Sequence, residues 1–505
     1  MTEKTAGNLK KVQETLAKTR IYHHAVAVLS YDKETICPEK GMEEQGELES
    51  FLGNEAFKLR KDPEFLQAAE ELYEAREELD RLDRVLVDAL HRDFLKTKNM
   101  TPEKQMEMSR IYNKAYVDWY NARNASDYSI FAPSLAEVVR ISLEQAKLSE
   151  ENYPTLYDHM LSGYELGMPM EEMDAVFEAC KARLLPLLKK IVASPKKIRT
   201  DFLSREVTDE QQRKMSEYLL RTMDYDLTRG CFTTTEHPFT DFLGINDVRV
   251  TTHYYPTAFH SSIYSIVHEG GHALYGQLQP AENYDHFLDQ IGDLPTSGQH
   301  ESFSRFYENR IGRSREFIAL IYPKAKEIFP QVFCDVTEEE FYEAMNIVEP
   351  SLIRTDADEF TYTLHIIIRY EIEKELILHG ADVKTLDQLW KEKYKEYLGI
   401  EPPTDRLGIL QDVHWTFGFG YFPTYAIGNF YNAMYYNRMA KEIGLSELVA
   451  KGDFKTINAW MAENVFKEAG RRTPKEWIRE ITGREFTPED FLTYLEEKYG
   501  EIYGL

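Results

Sequence analysis

The stretch SIVHEGGHALYG, residues 265–276, constrains this chain more than any other. His268 and His272 stand at i and i+4, so on a helix they project from one face, about 40° apart, with one turn between them. Two neutral imidazoles so placed can share a tetrahedral metal ion. Gly270 and Gly271 work against the helix this requires, because each interior glycine costs about 1 kcal/mol relative to alanine. Two compensations are open: a bare backbone where a neighbouring helix or a substrate comes close, and metal binding that offsets part of the cost.

Glu269 lies about 100° round from His268, beside such an ion but not aimed at it, which suits a carboxylate that takes a proton from water. His-Glu-x-x-His is the arrangement of zinc peptidases. A catalytic zinc needs a third protein ligand and one open position. Downstream, Gly292, Pro295 and Gly298 break the chain and a helix is expected to start near His300, led by Glu301. Glu301 is the first candidate for the third ligand, with Glu308, Glu282 and Asp289 as rivals. One ion per chain is expected. His, His and carboxylate suit Zn²⁺ and also accept Co²⁺ or Mn²⁺.

Most of the remaining sequence reads as amphipathic helix. Apolar residues recur at three- and four-residue spacing over 65–95, 105–123, 170–193, 337–348, 362–379 and 384–397. The exception is NDVRVTTHYY, 246–255, where Val248, Val250, Thr252 and Tyr254 alternate with Asp247, Arg249, Thr251 and His253 and so predict a strand. Its open edge is a place for an extended peptide to pair through main-chain hydrogen bonds. Between this strand and the His268 helix, Ser261 or Ser262 is a candidate helix cap. A length of 505 residues suggests roughly three domains. No linker or repeat divides the chain, so one domain over 1–505, with two lobes around a cleft, is expected.

Charge and composition exclude several classes. Lys and Arg total 60 against 86 Asp and Glu, a net charge of −26 that argues against a nucleic-acid partner. No stretch approaches the roughly 18 consecutive apolar residues of a membrane helix, and the first twenty residues lack the apolar core of a signal peptide. The cysteines, Cys37, Cys180, Cys231 and Cys334, are scattered without a CxxC, which fits a reducing cytoplasm.

Six segments in order, HPF (237–239), DVRVT (247–251), HEGGH (268–272), HES (300–302), IRTDAD (353–358) and GILQDVHW (408–415), resemble the carboxypeptidase Taq family of metallocarboxypeptidases. The resemblance implies a mostly α, two-lobed helical fold with a deep central cleft, similar to neurolysin and angiotensin-converting enzyme. A small antiparallel β element beside the active site is expected with it. The resemblance also implies a homodimer that removes residues from peptide C-termini with broad specificity, with His268, His272 and Glu301 as metal ligands and Glu269 as general base. One departure is visible: the family usually reads HESQS, and Phe303 stands here at the Gln position.

Peptide hydrolysis by this route develops an oxyanion that needs hydrogen-bond donors. His414, and Tyr421 or Tyr425 after Gly418 and Gly420, are the candidates. A carboxypeptidase must also grip a free carboxylate, which the planar fork of Arg suits. By resemblance Arg354 comes first and Arg249 second. The alternative for Arg354 is an ion pair with Asp358 at i+4, and for Arg249 a structural place at the strand edge. His237 either touches substrate or braces the strand. Two other functions remain open to the residues alone: an endo-acting zinc oligopeptidase, and a non-catalytic helical scaffold that binds peptides.

Overall fold

The computed structural model describes residues 1–290 and 296–505; Gly292 and Pro295, expected above to break the chain, lie outside them. The described chain is mostly helical, with a small three-stranded sheet. Two long helices, Glu3–Thr35 and Met42–Arg60, open the chain and pack on each other. Leu9, Val12 and Leu16 join Phe65, Leu72 and Leu86 in an apolar cluster separate from the main core, which gathers buried residues from Ala115 onward. Among the described residues no helix is long and apolar enough to cross a membrane.

The helical periodicity over 65–95 resolves into two helices, Pro63–Glu74 and Arg81–Thr97. The break has a local cause: the Asp80 side chain accepts hydrogen bonds from the Leu82 and Asp83 backbone N–H groups, 2.9 Å each, and so starts a new helix. The other predicted helices appear as Pro102–Ala125, Met170–Val192, Glu338–Met345, Tyr362–Leu378 and Leu386–Leu398.

Three strands, β1 (Gly230–Thr234), β2 (Thr240–Gly244) and β3 (Asp247–Thr252), lie in the order β1-β3-β2. β3 pairs parallel to β1 and antiparallel to β2, so the expected antiparallel element is a mixed sheet. β3 is the predicted strand without Asn246 at its start and residues 253–255 at its end, and it is central. Both its edges are occupied, which removes the open edge assigned to it for substrate pairing. Val248 and Val250 are buried, and across the antiparallel register Phe242 faces Val248 and Thr240 faces Val250. This face lies against the helix Phe259–Leu278, which carries His268 and His272 and is called the motif helix below.

The motif helix begins before the serines expected to cap it. Ala258 is the N-cap, no side chain caps it, and Ser262 donates within the first turn to the Phe259 carbonyl at 2.9 Å. The two glycines differ in what they meet. A Cβ on Gly271 would stand 2.8 Å from Ser304 Cα and 3.0 Å from the Phe303 carbonyl oxygen, both backbone atoms of the helix Ser297–Arg305. A Cβ on Gly270 would meet the end of a flexible side chain, Met223 Cε at 3.0 Å. On the far side of Ser297–Arg305 the helix Pro423–Ile443 presents Gly428, where a Cβ would lie 2.9 Å from the backbone and Cβ of Glu301. The helical cost of Gly271 and Gly428 is thus offset by close backbone packing around the Glu301 helix, whereas Gly270 has no such contact.

Alanine has the higher helix propensity at both motif glycines, so any difference between them reports packing. Gly271→Ala should destabilise the metal-free protein by about 1–3 kcal/mol through overpacking, while Gly270→Ala should stay within about 1 kcal/mol of the parent. Denaturant unfolding of the two variants checks this; equal shifts would contradict the packing assigned to Gly271.

Candidate metal and catalytic site

Packing the motif helix on the Glu301 helix brings His268, His272 and Glu301 together, each offering a ligand atom within 4.8 Å of the others. The Nε2 atoms of both imidazoles lie 3.9 Å from Glu301 Oε2. Ligands on one tetrahedral zinc at bond lengths of about 2.0–2.1 Å stand about 3.3 Å apart, so the three atoms converge a little wider than that shell. The donor types fit such an ion. Burial, with the charges of His268, His300 and Arg305 behind it, holds His272 well below the usual imidazole range and leaves its lone pair free. At His268 burial also acts to lower the pKa, but the Glu301 and Glu308 carboxylates outweigh it and raise the value. The carboxylates therefore favour positive charge at His268, while burial and the neighbouring cations keep His272 neutral.

Glu308, a rival ligand by sequence, has a different place. Past Arg305 the helix widens into a π-helical turn, Phe306–Ile311, and Glu308 Oε2 sits 2.8 Å from His268 Nδ1. This contact fixes the ring so that Nε2 faces Glu301, the outer bracing expected of a metal-bound histidine. Burial alone would raise the Glu308 pKa; Arg305, His268 and Arg313 overcome it and hold the carboxyl well below the usual range. Arg305 also donates through Nε to Glu301 Oε1 at 2.7 Å, which leaves Oε2 toward the imidazoles. The other two rivals are engaged elsewhere, Glu282 with Arg471 at 2.7 Å and Asp289 with Arg20 at 2.6 Å.

Glu269 is buried against β2. Thr240 Oγ1 donates to Glu269 Oε2 at 2.7 Å and is 2.8 Å from the Glu269 carbonyl oxygen. Burial pushes the Glu269 carboxyl above its ordinary value, with His268 and Thr240 pulling the other way. Thr240 was missed in the sequence because β2 carries too short an alternation to be recognised as a strand. Arg305 was within reach, since it lies at i+4 from Glu301.

A cavity of about 430 Å³ opens beside this cluster, lined by His272, Glu301, His300, Gly163 and Tyr421. Of the two candidate tyrosines Tyr421 lines the cavity, whereas the Tyr425 hydroxyl meets His414 Nε2 at 3.3 Å. The two phenol rings are edge to face at 5.1 Å. Burial lowers the His414 imidazole to about 4, so it is neutral near pH 7.

The two candidate arginines separate clearly. Arg354 is buried and does not pair with Asp358, whose carboxylate instead accepts from the backbone N–H groups of Phe360, Thr361 and Glu349. Arg354 bonds Asp412 through Nε at 2.9 Å and Tyr362 through Nη1 at 3.0 Å, and stacks 4.9 Å from the Tyr425 ring. The Tyr362 ring in turn lies 4.4 Å from the Arg305 guanidinium. Arg249 projects from the opposite face of β3 to the motif helix, paired with Asp247 at 2.8 Å and stacked on Tyr31 at 4.8 Å. These neighbours are those of a structural ion pair, the alternative to its place in substrate binding. His237 is exposed; the hydroxyls of Thr235 and Thr251, not its imidazole, brace the 237–239 backbone. Phe303, at the position where Gln was expected, is fully buried against Tyr275, Phe466 and Trp477.

A family model described as carboxypeptidase Taq (M32) metallopeptidase matches residues 11–499. Carboxypeptidase 1 of Bacillus subtilis is 35% identical over 501 residues, covering 98% of this chain and 99% of that protein. Thermostable carboxypeptidase 1 of Thermus thermophilus is 36% identical over 490 residues, 95% of each chain. The crystal structure of the M32 carboxypeptidase from Deinococcus radiodurans R1 superposes with a TM-score of 0.93 at 34% identity, covering 99% of this chain and all of that one.

The bracing contact at His268 can be tested by metal binding. Glu308→Gln should weaken Zn²⁺ affinity by about 10- to 100-fold, measured by competition with a chelator, while Glu282→Gln should leave it unchanged.

Proposed function

The chain belongs to the carboxypeptidase Taq (M32) family of metallopeptidases and is a peptide hydrolase that releases C-terminal residues; within that activity we propose that Glu269 is its general base and that His268, His272 and Glu301 hold one metal ion. The observation that carries this reading is the convergence of two Nε2 atoms and Glu301 Oε2 beside a buried Glu269. When bound, the ion, assigned as Zn²⁺ with Co²⁺ or Mn²⁺ as alternatives on the same donors, polarises the scissile carbonyl and lowers the pKa of a water molecule.

With Glu269 Oε2 tied to Thr240, Oε1 is the atom that takes the proton from water and later delivers it to the leaving amine. Tyr421 offers its phenol O–H to the carbonyl oxygen as charge develops there, with neutral His414 and Tyr425 behind it in a hydrogen-bonded pair. Arg354 is assigned to the substrate's terminal carboxylate. Asp412 holds its Nε and Nη2 and Tyr362 its Nη1, which orients the guanidinium for a charge-assisted pair. Specificity is read as broad, because the residues assigned to substrate hold the peptide by its carboxylate and scissile carbonyl and not by its side chains. An endo-acting oligopeptidase or a non-catalytic scaffold fits less well, since neither needs a guanidinium fixed near the metal cluster.

The same reading treats residues 1–505 as one domain of two lobes around a cleft, similar to neurolysin and angiotensin-converting enzyme. The separate apolar cluster of the N-terminal helices supports it. A homodimer and a cytoplasmic setting belong to the proposal as well.

Glu269→Gln should retain bound metal and lose about 10²- to 10⁴-fold in kcat; undiminished turnover would remove the base assignment. For the carboxylate, Arg354→Lys should cost at least about tenfold in kcat/KM on a peptide with a free C-terminus. The same variant should leave residual turnover of the amidated twin unchanged; equal losses on both peptides would count against Arg354 as the carboxylate's partner.

A further inference from the structure

Glu373 lies in the helix Tyr362–Leu378 with 1% of its surface exposed. Its carboxylate meets three donors from three different segments. Oε1 accepts from Trp415 Nε1 at 2.8 Å; Oε2 accepts from the Tyr157 hydroxyl at 2.8 Å and from the Gly420 backbone N–H at 2.9 Å. Among the described residues no ion pair reaches it. Burial pushes the carboxyl up to about 7 while the three hydrogen bonds pull it down. A carboxyl with neutral donors alone is a costly way to fill a core, because an apolar side chain of similar volume avoids the desolvation penalty. What it supplies that an apolar side chain does not is directional hold on its donors.

Those donors bracket one loop. Trp415 belongs to the 3₁₀ turn His414–Thr416, and Gly420 immediately precedes Tyr421. Gly420 has φ +93°, and a Cβ there would lie 2.8 Å from the Met160 carbonyl carbon, so the loop is pressed onto the helix Leu156–Ser162. Tyr157, the third donor, comes from that same helix, and Gly163 just beyond it lines the metal cavity beside Tyr421. Between the tethers Thr416 and Phe419 are buried, while Phe417 is 45% exposed and a Cβ on Gly418 would meet open space, so the loop's own packing is slight at 417–418.

We propose that Glu373 is a positioning residue for the hydrolysis: by holding both ends of 415–420 against the helix Leu156–Ser162, it sets the Tyr421 phenol at the mouth of the metal cavity and the His414 imidazole behind it. The catalytic part of this inference rests on the oxyanion role given above to Tyr421.

Glu373→Gln keeps the side-chain shape but turns an amide NH₂ toward at least one donor, so a tether is lost. Two measurements on the metal-loaded protein test the inference. Hydrogen–deuterium exchange in Glu373→Gln should rise by at least about tenfold over 414–422 and stay unchanged over 265–276. Unchanged exchange over 414–422, or a rise spread evenly over the chain, overturns the tether. In steady-state kinetics Glu373→Gln should lower kcat by about 10- to 100-fold with KM within about threefold. Added to Tyr421→Phe it should cost less than about threefold more, because both act through one phenol. Losses that multiply overturn the positioning role. A Tyr421→Phe variant with full kcat sinks the oxyanion assignment instead, and the exchange result alone then upholds or overturns the tether.

Discussion

The close approach of the motif helix to Ser297–Arg305, where a single Cβ on Gly271 would come within 2.8 Å of Ser304 Cα, sets the distance between the histidine pair and the third carboxylate. Two helices with ordinary side chains at their contact stand about 8–10 Å apart, and bare backbone is what lets them come nearer. Gly428 repeats the device on the other side of the same helix, against Glu301 itself. The Glu301 helix is therefore seated between two helices along glycine contacts, and its carboxylate has little freedom to move away from His268 and His272. Local instability in the HEGGH segment is the counterpart of precise placement between segments.

Electrostatics then decide what the placed groups do. Glu269, Glu301 and Glu308 are all buried within the same cluster, a concentration of carboxylates that would ordinarily drive some of them to stay protonated. Arg305 and Arg313 prevent this at Glu308, and Arg305 reaches Glu301 as well. Glu269 is the member whose carboxylate accepts from the neutral Thr240 hydroxyl and whose pKa is raised. The division follows from partners: Glu308, which braces His268, is held ionised by arginine, and Glu269, the proposed base, is not.

The residues proposed as metal ligands and base could be picked out in the sequence from a histidine pair at i and i+4 on one helix, an acid at the following chain break, and six ordered motifs spread over about 180 residues. Glu301 then sits one turn inside the helix Ser297–Arg305 and does not lead it. The helices were legible from local spacing as well. What was not legible depends on contacts that periodicity does not encode. Arg354 finds Asp412, 58 residues away, in preference to Asp358 at i+4, because Asp358 is spent on three backbone N–H groups at a turn. β3 was visible as a strand, but its central position and parallel partner were not; strand alternation tells which residues share a face and says nothing of which strand lies beside it. Arg249 shows the consequence, since alternation alone places it opposite Val248 and Val250, and only the side occupied by the motif helix reveals which face is the site.

Two buried carboxyls outside the metal cluster extend the same logic. Glu165 accepts from the Tyr431 hydroxyl at 2.6 Å and from the Gly298 N–H at 3.0 Å, at the start of the Glu301 helix, and burial raises it to about 8. Glu373 does the corresponding work at the loop that carries Tyr421. Neither has an arginine, and each takes a backbone N–H from a segment that feeds the cavity. An ion pair fixes charge but tolerates sliding, since Coulomb attraction falls slowly with distance; a hydrogen bond from a backbone N–H falls off steeply with angle and so fixes orientation. Where this chain keeps Glu308 ionised against His268 it uses arginine, and where it holds a peptide segment at one angle to the cavity it buries a carboxyl among neutral donors.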